Sequence, residues 1–250
     1  MRRKKSRTTA PRKSTRSRAA ERVLARSCVF GLLARALRYP DGELFAALQG
    51  GRWAAEVTEA ARRSGVGARS PFLDELRRVA DTLPAGLADL QNLHTTLFSS
   101  GGACPHQESD YVASHTFQKA DVMADVAGFY RAFGFQVSSV TRELPDFLGT
   151  ELEFLHVVGV KEVFARQHGH RAGASVCRRA QKTFLADHLG VWIGVFRERV
   201  AHGGAGPFYV LLARLAEGFV RAQHIRPRAL VRPSAPVADL EGSPPCSGCP

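Results

Sequence analysis

The sequence predicts an all-α fold. Apolar residues recur at spacings of three and four along most of the chain, residues that start and stop helices fall at the ends of those runs, and no pair of alternating runs flanks a hairpin turn. From about Ala19 the first run carries Val23, Leu24, Cys28, Leu32 and Leu33, and Tyr39-Pro40-Asp41-Gly42 stops it. A short helix is expected over 43–64. Ser70-Pro71 supplies a cap and a first turn for a helix through Ala80. Pro84 opens the next, with Leu87, Leu90, Leu93 and Leu97 on one face. Ser99 to Pro105 is a glycine-rich loop of small residues. It lacks the Gly-Lys-Ser/Thr ending and the preceding strand of a phosphate loop. Residues 118–133 place Val122, Val126, Phe129 and Phe133 in helical register.

The segment Glu143-Leu-Pro-Asp-Phe-Leu-Gly-Thr-Glu-Leu-Glu-Phe-Leu155 starts a helix over 145–167. Pro145 has a fixed φ and lacks an N–H that a first turn would leave unpaired. Asp146 then faces the positive end of the helix dipole. Leu148, Leu152 and Leu155 share a stripe, flanked by Glu151 and Glu153. The reading is a charged, partly exposed turn that opens a buried helix. A break at 168–174 leads to one long helix in which Leu185, Leu189, Trp192, Phe196 and Val200 form the stripe, ended by His202-Gly203-Gly204. Gly206-Pro207 starts the last helix, with Phe208, Leu211, Leu212, Leu215 and Phe219. Prolines at 227, 233, 236, 244, 245 and 250 then predict an extended, mobile tail over 226–250.

With 250 residues, 44% of them hydrophobic, the chain is long enough for a substantial core, expected over 19–225. Its net charge is +12, but residues 2–18 hold nine Lys/Arg and no acid. Subtracting those nine leaves +3 for the rest, so the charge belongs to a basic arm, expected to be disordered over 1–18. The arm carries no apolar core of a secretory signal, because Glu21, Arg22 and Arg26 interrupt it. No stretch approaches the ~20 apolar residues of a membrane span. A cytoplasmic protein with no stable membrane insertion and no nucleic-acid partner is expected. Cys28, Cys104, Cys177, Cys246 and Cys249 are odd in number and widely spread, which fits a reducing compartment.

Four pieces stand in a shared order. They are Leu93-His-Thr-Thr-Leu-Phe98 with Cys104-Pro-His-Gln-Glu-Ser-Asp-Tyr111; Phe129-Tyr-Arg-Ala-Phe-Gly134; Leu144-Pro-Asp-Phe147 with Glu151-Leu-Glu-Phe154; and Phe184-Leu, His188-Leu and Trp192, ending with Pro207-Phe-Tyr209. Together they resemble the TorD/DmsD/NarJ group of redox-enzyme maturation chaperones, from about residue 22 to 222. Phe147 stands where the family usually has His after Pro-Asp. The resemblance implies an all-α chaperone without catalysis or cofactor. Its implied partner is the apo catalytic subunit of a molybdopterin oxidoreductase, held by its leader or N-terminal segment. It also implies a monomer or a domain-swapped dimer. Glu108, Asp110, Tyr111, Pro145, Asp146, Phe147 and Glu151 are the expected peptide-binding residues, with the acids facing a basic leader. An exposed first-turn carboxylate adds only about 0.3–1 kcal/mol to its helix, so Asp146 is expected to matter for binding more than for folding.

Two other readings use other residues. Glu153 and His156 form a Glu-x-x-His pair, half of a di-iron carboxylate site, and a helical metal-binding enzyme would add the cysteines. The full site needs a second such pair, which the chain lacks. Cys246-Ser-Gly-Cys249 offers two of the four ligands of a structural zinc. A nucleic-acid binder would act through residues 1–18, with affinity falling steeply in salt.

Overall fold

The computed structural model describes residues 15–67, 70–99, 102–137 and 143–229. Residues 1–14 of the basic arm and the tail with Cys246 and Cys249 lie outside the described residues, as do 138–142 of the connector. Eleven α helices and one short 3₁₀ turn are present among the described residues, and the only β feature there is an isolated bridge between Gln107 and Phe147. The order is α1 (Thr15–Leu37), α2 (Gly42–Gln49), α3 (Arg52–Ser64), α4 (Pro71–Leu76), a 3₁₀ turn (Ala80–Thr82) and α5 (Leu87–Phe98). There follow α6 (Ser109–Val112), α7 (Thr116–Ala132), α8 (Leu148–Gln167), α9 (Arg171–Asp187), α10 (Leu189–His202) and α11 (Gly206–Arg221).

The all-α expectation holds, and the differences lie at boundaries. Helix α1 begins at Thr15, inside the stretch read as an arm. The single helix expected over 43–64 is two, because Gly51 takes φ 72, a left-handed value that suits glycine and breaks the helix. Pro71 does open α4, but that helix stops at Leu76, and α5 starts at Leu87 behind Gly86 rather than at Pro84. The long helix expected through 202 is interrupted at His188, whose φ and ψ are −121 and −102. A Cβ at Gly190 would lie 2.2 Å from the carbonyl oxygen of Leu185, so the chain turns there through a position only glycine fits. The stripe survives the break: Leu189, Trp192, Phe196 and Val200 are all fully buried. The tail is fastened further than expected, since the Arg228 amide donates to the Ala186 carbonyl at 2.7 Å and its guanidinium pairs with Asp187 at 2.8 Å.

Helix α8 is the axis of the molecule. Twelve of its twenty residues are buried, with α1 and α9 packed along it. Helix α1 also packs on α3, while α10 joins α9 to α11. A helix covered on several sides carries little amphipathic signal and must be small where a neighbour comes close. Gly159 is such a point: an added Cβ would lie 2.8 Å from Ser27 Cβ on α1. Gly159→Ala should therefore destabilise the fold by about 1–2 kcal/mol despite alanine's better helix propensity, read as a lower melting temperature. A variant as stable as wild type would show that α1 and α8 can separate without loss.

No helix among the described residues is long and apolar enough to cross a membrane.

Candidate functional site

The expected acidic site is drawn together, but inside the protein. Asp146 and Glu151 are fully buried, and Glu108 is 2% exposed. The turn before α8 is therefore not an exposed charged patch. Helix α8 starts at Leu148, and Asp146 lies ahead of it, so it caps a neighbouring segment instead of its own helix. Its Oδ2 accepts the Ser109 amide at 3.0 Å, and its backbone carbonyl accepts the Glu108 amide at 2.9 Å. The Leu148 amide donates to the His106 carbonyl at 2.9 Å. These bonds stitch the 105–112 segment to the 143–148 turn.

Side chains from α7, α10 and the break between α9 and α10 close the cluster. His188 Nδ1 lies 3.1 Å from Glu108 Oε2, and Trp192 Nε1 donates to Glu151 Oε2 at 3.3 Å. Tyr130 OH donates to the Pro145 carbonyl at 2.7 Å. Burial, together with the facing charges of Glu108 and Asp146, pushes the Glu151 carboxyl well above the usual range. Burial alone would lower His188, but the hydrogen bond and charge of Glu108 outweigh it and raise the imidazole. His106, buried beside His94, is pushed down to about 3 and stays neutral.

The remaining expected site residues divide. Tyr111 is buried, donates its hydroxyl to the Pro105 carbonyl and stacks on Trp192. Phe147 is buried against the His106 ring, with centroids 4.4 Å apart. Asp110 is half-buried and already paired with Lys119 at 2.6 Å. Pro145 keeps a surface position beside a hollow of about 610 Å³ that also touches Tyr130, Phe135 and Val137. The cluster thus holds its loops in place, and only Asp110 and Pro145 of the expected set reach solvent. His188 and Tyr130 complete it, although neither was among the expected site residues. His188 was hidden by the apparent continuity of its helix, and Gly190 was the signal for a break.

The larger concavity lies elsewhere. A groove of about 1330 Å³ runs between α1 and α3, with Glu153 and His156 of α8 in its wall. Leu24, Cys28 and Leu32 line it at i, i+4 and i+8. The sequence places these residues on the apolar run of the first helix. Helix α1 instead has two apolar faces: Val29, Phe30, Leu33 and Leu37 are buried, while Leu24 is 41% exposed in the groove. Periodicity marks an apolar stripe but not what covers it.

Glu153 and His156 do not converge on a metal position. Glu153 pairs with Arg38, and His156 Nδ1 bonds Ser27 on α1. No group of three or more His, Cys, Asp or Glu among the described residues is arranged to hold a metal ion. Among the described cysteines, Cys28, Cys104 and Cys177 are free thiols.

A family model spans the residues that build the buried cluster. The family described as nitrate reductase delta subunit matches residues 67–198. The perchlorate reductase assembly chaperone protein of Dechloromonas aromatica is 33% identical over 204 residues, covering 81% of this chain and 89% of that protein. The chain belongs to the TorD/NarJ-like family of redox-enzyme maturation chaperones. Two further relatives match shorter stretches. The selenate reductase assembly chaperone protein of Thauera selenatis is 39% identical over 79 residues, 32% of this chain and 40% of its own length. The chaperone protein TorD of Vibrio cholerae is 33% identical over 90 residues, 36% of this chain and 40% of its own. As a TorD/NarJ-like chaperone, this protein has the Glu-Ser-x-Tyr and Glu-Leu-Glu-Phe pieces at its structural centre: Glu108, Tyr111, Glu151 and Phe154 are all buried.

Proposed function

We propose that this chaperone holds the apo catalytic subunit of a molybdopterin oxidoreductase during maturation, in the cytoplasm, and grips it by a leader or N-terminal segment. The observation that carries this reading is the groove floored by Leu24, Cys28 and Leu32. An apolar stripe that the fold leaves partly open on a long helix, with Leu24 exposed and Cys28 and Leu32 half-buried, suits an amphipathic helix laid along it. The groove rim carries both signs, with Arg22 and Arg63 against Glu56 and Glu59, so charge would set the orientation of the segment more than its affinity. Relatives named as assembly chaperones of perchlorate, selenate and chlorate reductases support a catalytic-subunit partner.

The buried cluster has a supporting part in this reading. Arg38 lines the groove and pairs with both Glu153 of α8 and Glu143 of the turn that carries Asp146. Glu108, Tyr111, Asp146, Phe147 and Glu151 thereby position one end of the groove. Asp110 and Pro145 are the members of that set able to touch a client directly.

The test is co-expression of the full chain with the catalytic subunit of a molybdopterin oxidoreductase from the same genome. The apo subunit should co-purify with the chain, and the same subunit without its N-terminal segment should not. Equal recovery of both forms would place the grip elsewhere on the client.

A further inference from the structure

We propose that Glu108, Glu151 and His188 form a proton-held latch that fastens the 105–112 segment and the 143–147 turn onto α8 and α10, closed while the two glutamates share one proton and opened by its loss. The device belongs to the buried cluster itself and works whether or not a client occupies the groove.

The case begins with charge. Three carboxylates, from Glu108, Asp146 and Glu151, are essentially removed from water, and no lysine or arginine among the described residues pairs with any of them. Three buried negative charges with one imidazole to balance them is an arrangement a low-dielectric interior does not tolerate. Asp146 accepts the Ser109 amide at Oδ2, and its Oδ1 has no hydrogen-bond partner. Glu108 faces His188, whose Nδ1 lies 3.1 Å from it, while His188 Nε2 is buried without a hydrogen-bond partner, 3.6 Å from Asp125. Protonated His188 donates from Nδ1 to Glu108.

Glu151 has neither an imidazole nor a backbone amide against its carboxyl among the described residues. Its Oε2 accepts from the Trp192 indole, and its Oε1 has no hydrogen-bond partner. Its carboxyl faces that of Glu108 within hydrogen-bonding reach. Two carboxylates cannot hydrogen-bond, but a carboxylic acid and a carboxylate can. A proton on Glu151, donated to Glu108, supplies the missing donor and lowers the charge by one. Other titratable groups around the pair are Tyr130 and Asp125 on α7, Asp187 beside His188, and Tyr111 and Asp110 on α6; the cations beside these are Lys119, paired with Asp110 at 2.6 Å, and Arg199, 6.0 Å from the Tyr111 ring. The raised position of the Glu151 carboxyl agrees with this assignment.

The direction of the pH response follows from linkage. Both Glu151 and His188 hold their protons more tightly in the folded chain than in the unfolded one. The stabilisation from each is complete below its ordinary value, 4.5 for Glu151 and 6.5 for His188, and is lost as pH rises through the folded value. Alkali therefore opens the latch. The amides of Glu108, Ser109 and Leu148, which close the two segments on each other, should become exchangeable first.

Thermal melts of the full chain from pH 5 to 9 test the proposal, with Glu151→Gln as the variant. Glutamine keeps the donor to Glu108 without a titrating proton. Wild type should lose about 4 °C or more across the range, whereas Glu151→Gln should lose no more than half as much and melt above wild type at pH 9. Parallel curves would overturn the latch. Carbon-13 NMR of the glutamate carboxyls in the wild type gives an answer that does not depend on the variant folding. One glutamate carboxyl should remain protonated at pH 7; if all are ionised at that pH, no proton is shared and the proposal is wrong.

Discussion

Replacing Glu162 with alanine should lower the stability of the folded chain by about 3 kcal/mol, which for a chain of this size is a fall of roughly 6–12 °C in melting temperature. Glu162 is fully buried on α8 and joins three helices. Arg166 grips its Oε1 with two nitrogens, and Gln181 on α9 donates to its Oε2 at 2.8 Å. Arg26 on α1 reaches the same carboxylate at 3.7 Å and donates to Gln181 Oε1 at 2.8 Å. Removing one partner of a buried ion network leaves the others desolvated and unmatched, which costs more than the pair contributed. Both arginines keep some contact with water, so the loss belongs at the lower end of the usual range for such networks. Glu162→Gln, which keeps an acceptor for Gln181, should lose less. A melting temperature within 2 °C of wild type for the alanine variant would mean that packing of α1, α8 and α9 holds without the network.

Phe154→Ala should have an effect of similar or larger size, about 3–5 kcal/mol. The ring is fully buried and meets Phe129, Tyr130, Phe133, Phe135 and Phe184 at centroid distances of 4.8 to 6.3 Å. Most of these partners belong to α7 or the turn after it. Helix α7 buries only Val126 and Tyr130 of its own, so this aromatic cluster is its main anchor. Truncation should therefore release α7 before the rest of the fold, and limited proteolysis should cut first within 113–147. Phe154→Leu fills more of the space and should cost less than half as much. First cleavage in α10 or α11 instead would show that Phe154 serves the whole core evenly.

The same two residues show how much of the fold was legible in the sequence. Phe154 lies in a motif whose family resemblance was visible at once, and its helix was placed within three residues of its observed start. Period and capping chemistry located nearly every helix because both are local. The breaks at Gly51 and His188 were missed because each depends on backbone geometry, a left-handed glycine in one case and a close carbonyl in the other.

Burial of charge was not legible at all. Pro145-Asp146 reads as an exposed helix start, and nothing local shows that the Asp146 carboxylate turns inward to a backbone amide thirty-seven residues earlier in the chain. Glu108 and His188 are eighty residues apart in sequence and face each other only in the fold. The groove was missed for the opposite reason. Leu24, Cys28 and Leu32 were seen as a stripe, but a stripe looks the same whether a helix of this chain or of a partner covers it.

Calorimetric titration of the full chain with a peptide covering the N-terminal segment of the catalytic subunit, alongside the Leu24→Glu variant, tests that assignment most directly. Leu24 is partly exposed on the groove floor, so a charge there should leave the melting temperature nearly unchanged. The wild-type chain should bind the peptide, and the variant should bind it at least about tenfold more weakly, since burying one leucine side chain contributes about 1.5–3 kcal/mol. Equal affinity for both proteins, with both folded, would contradict the groove as the client site.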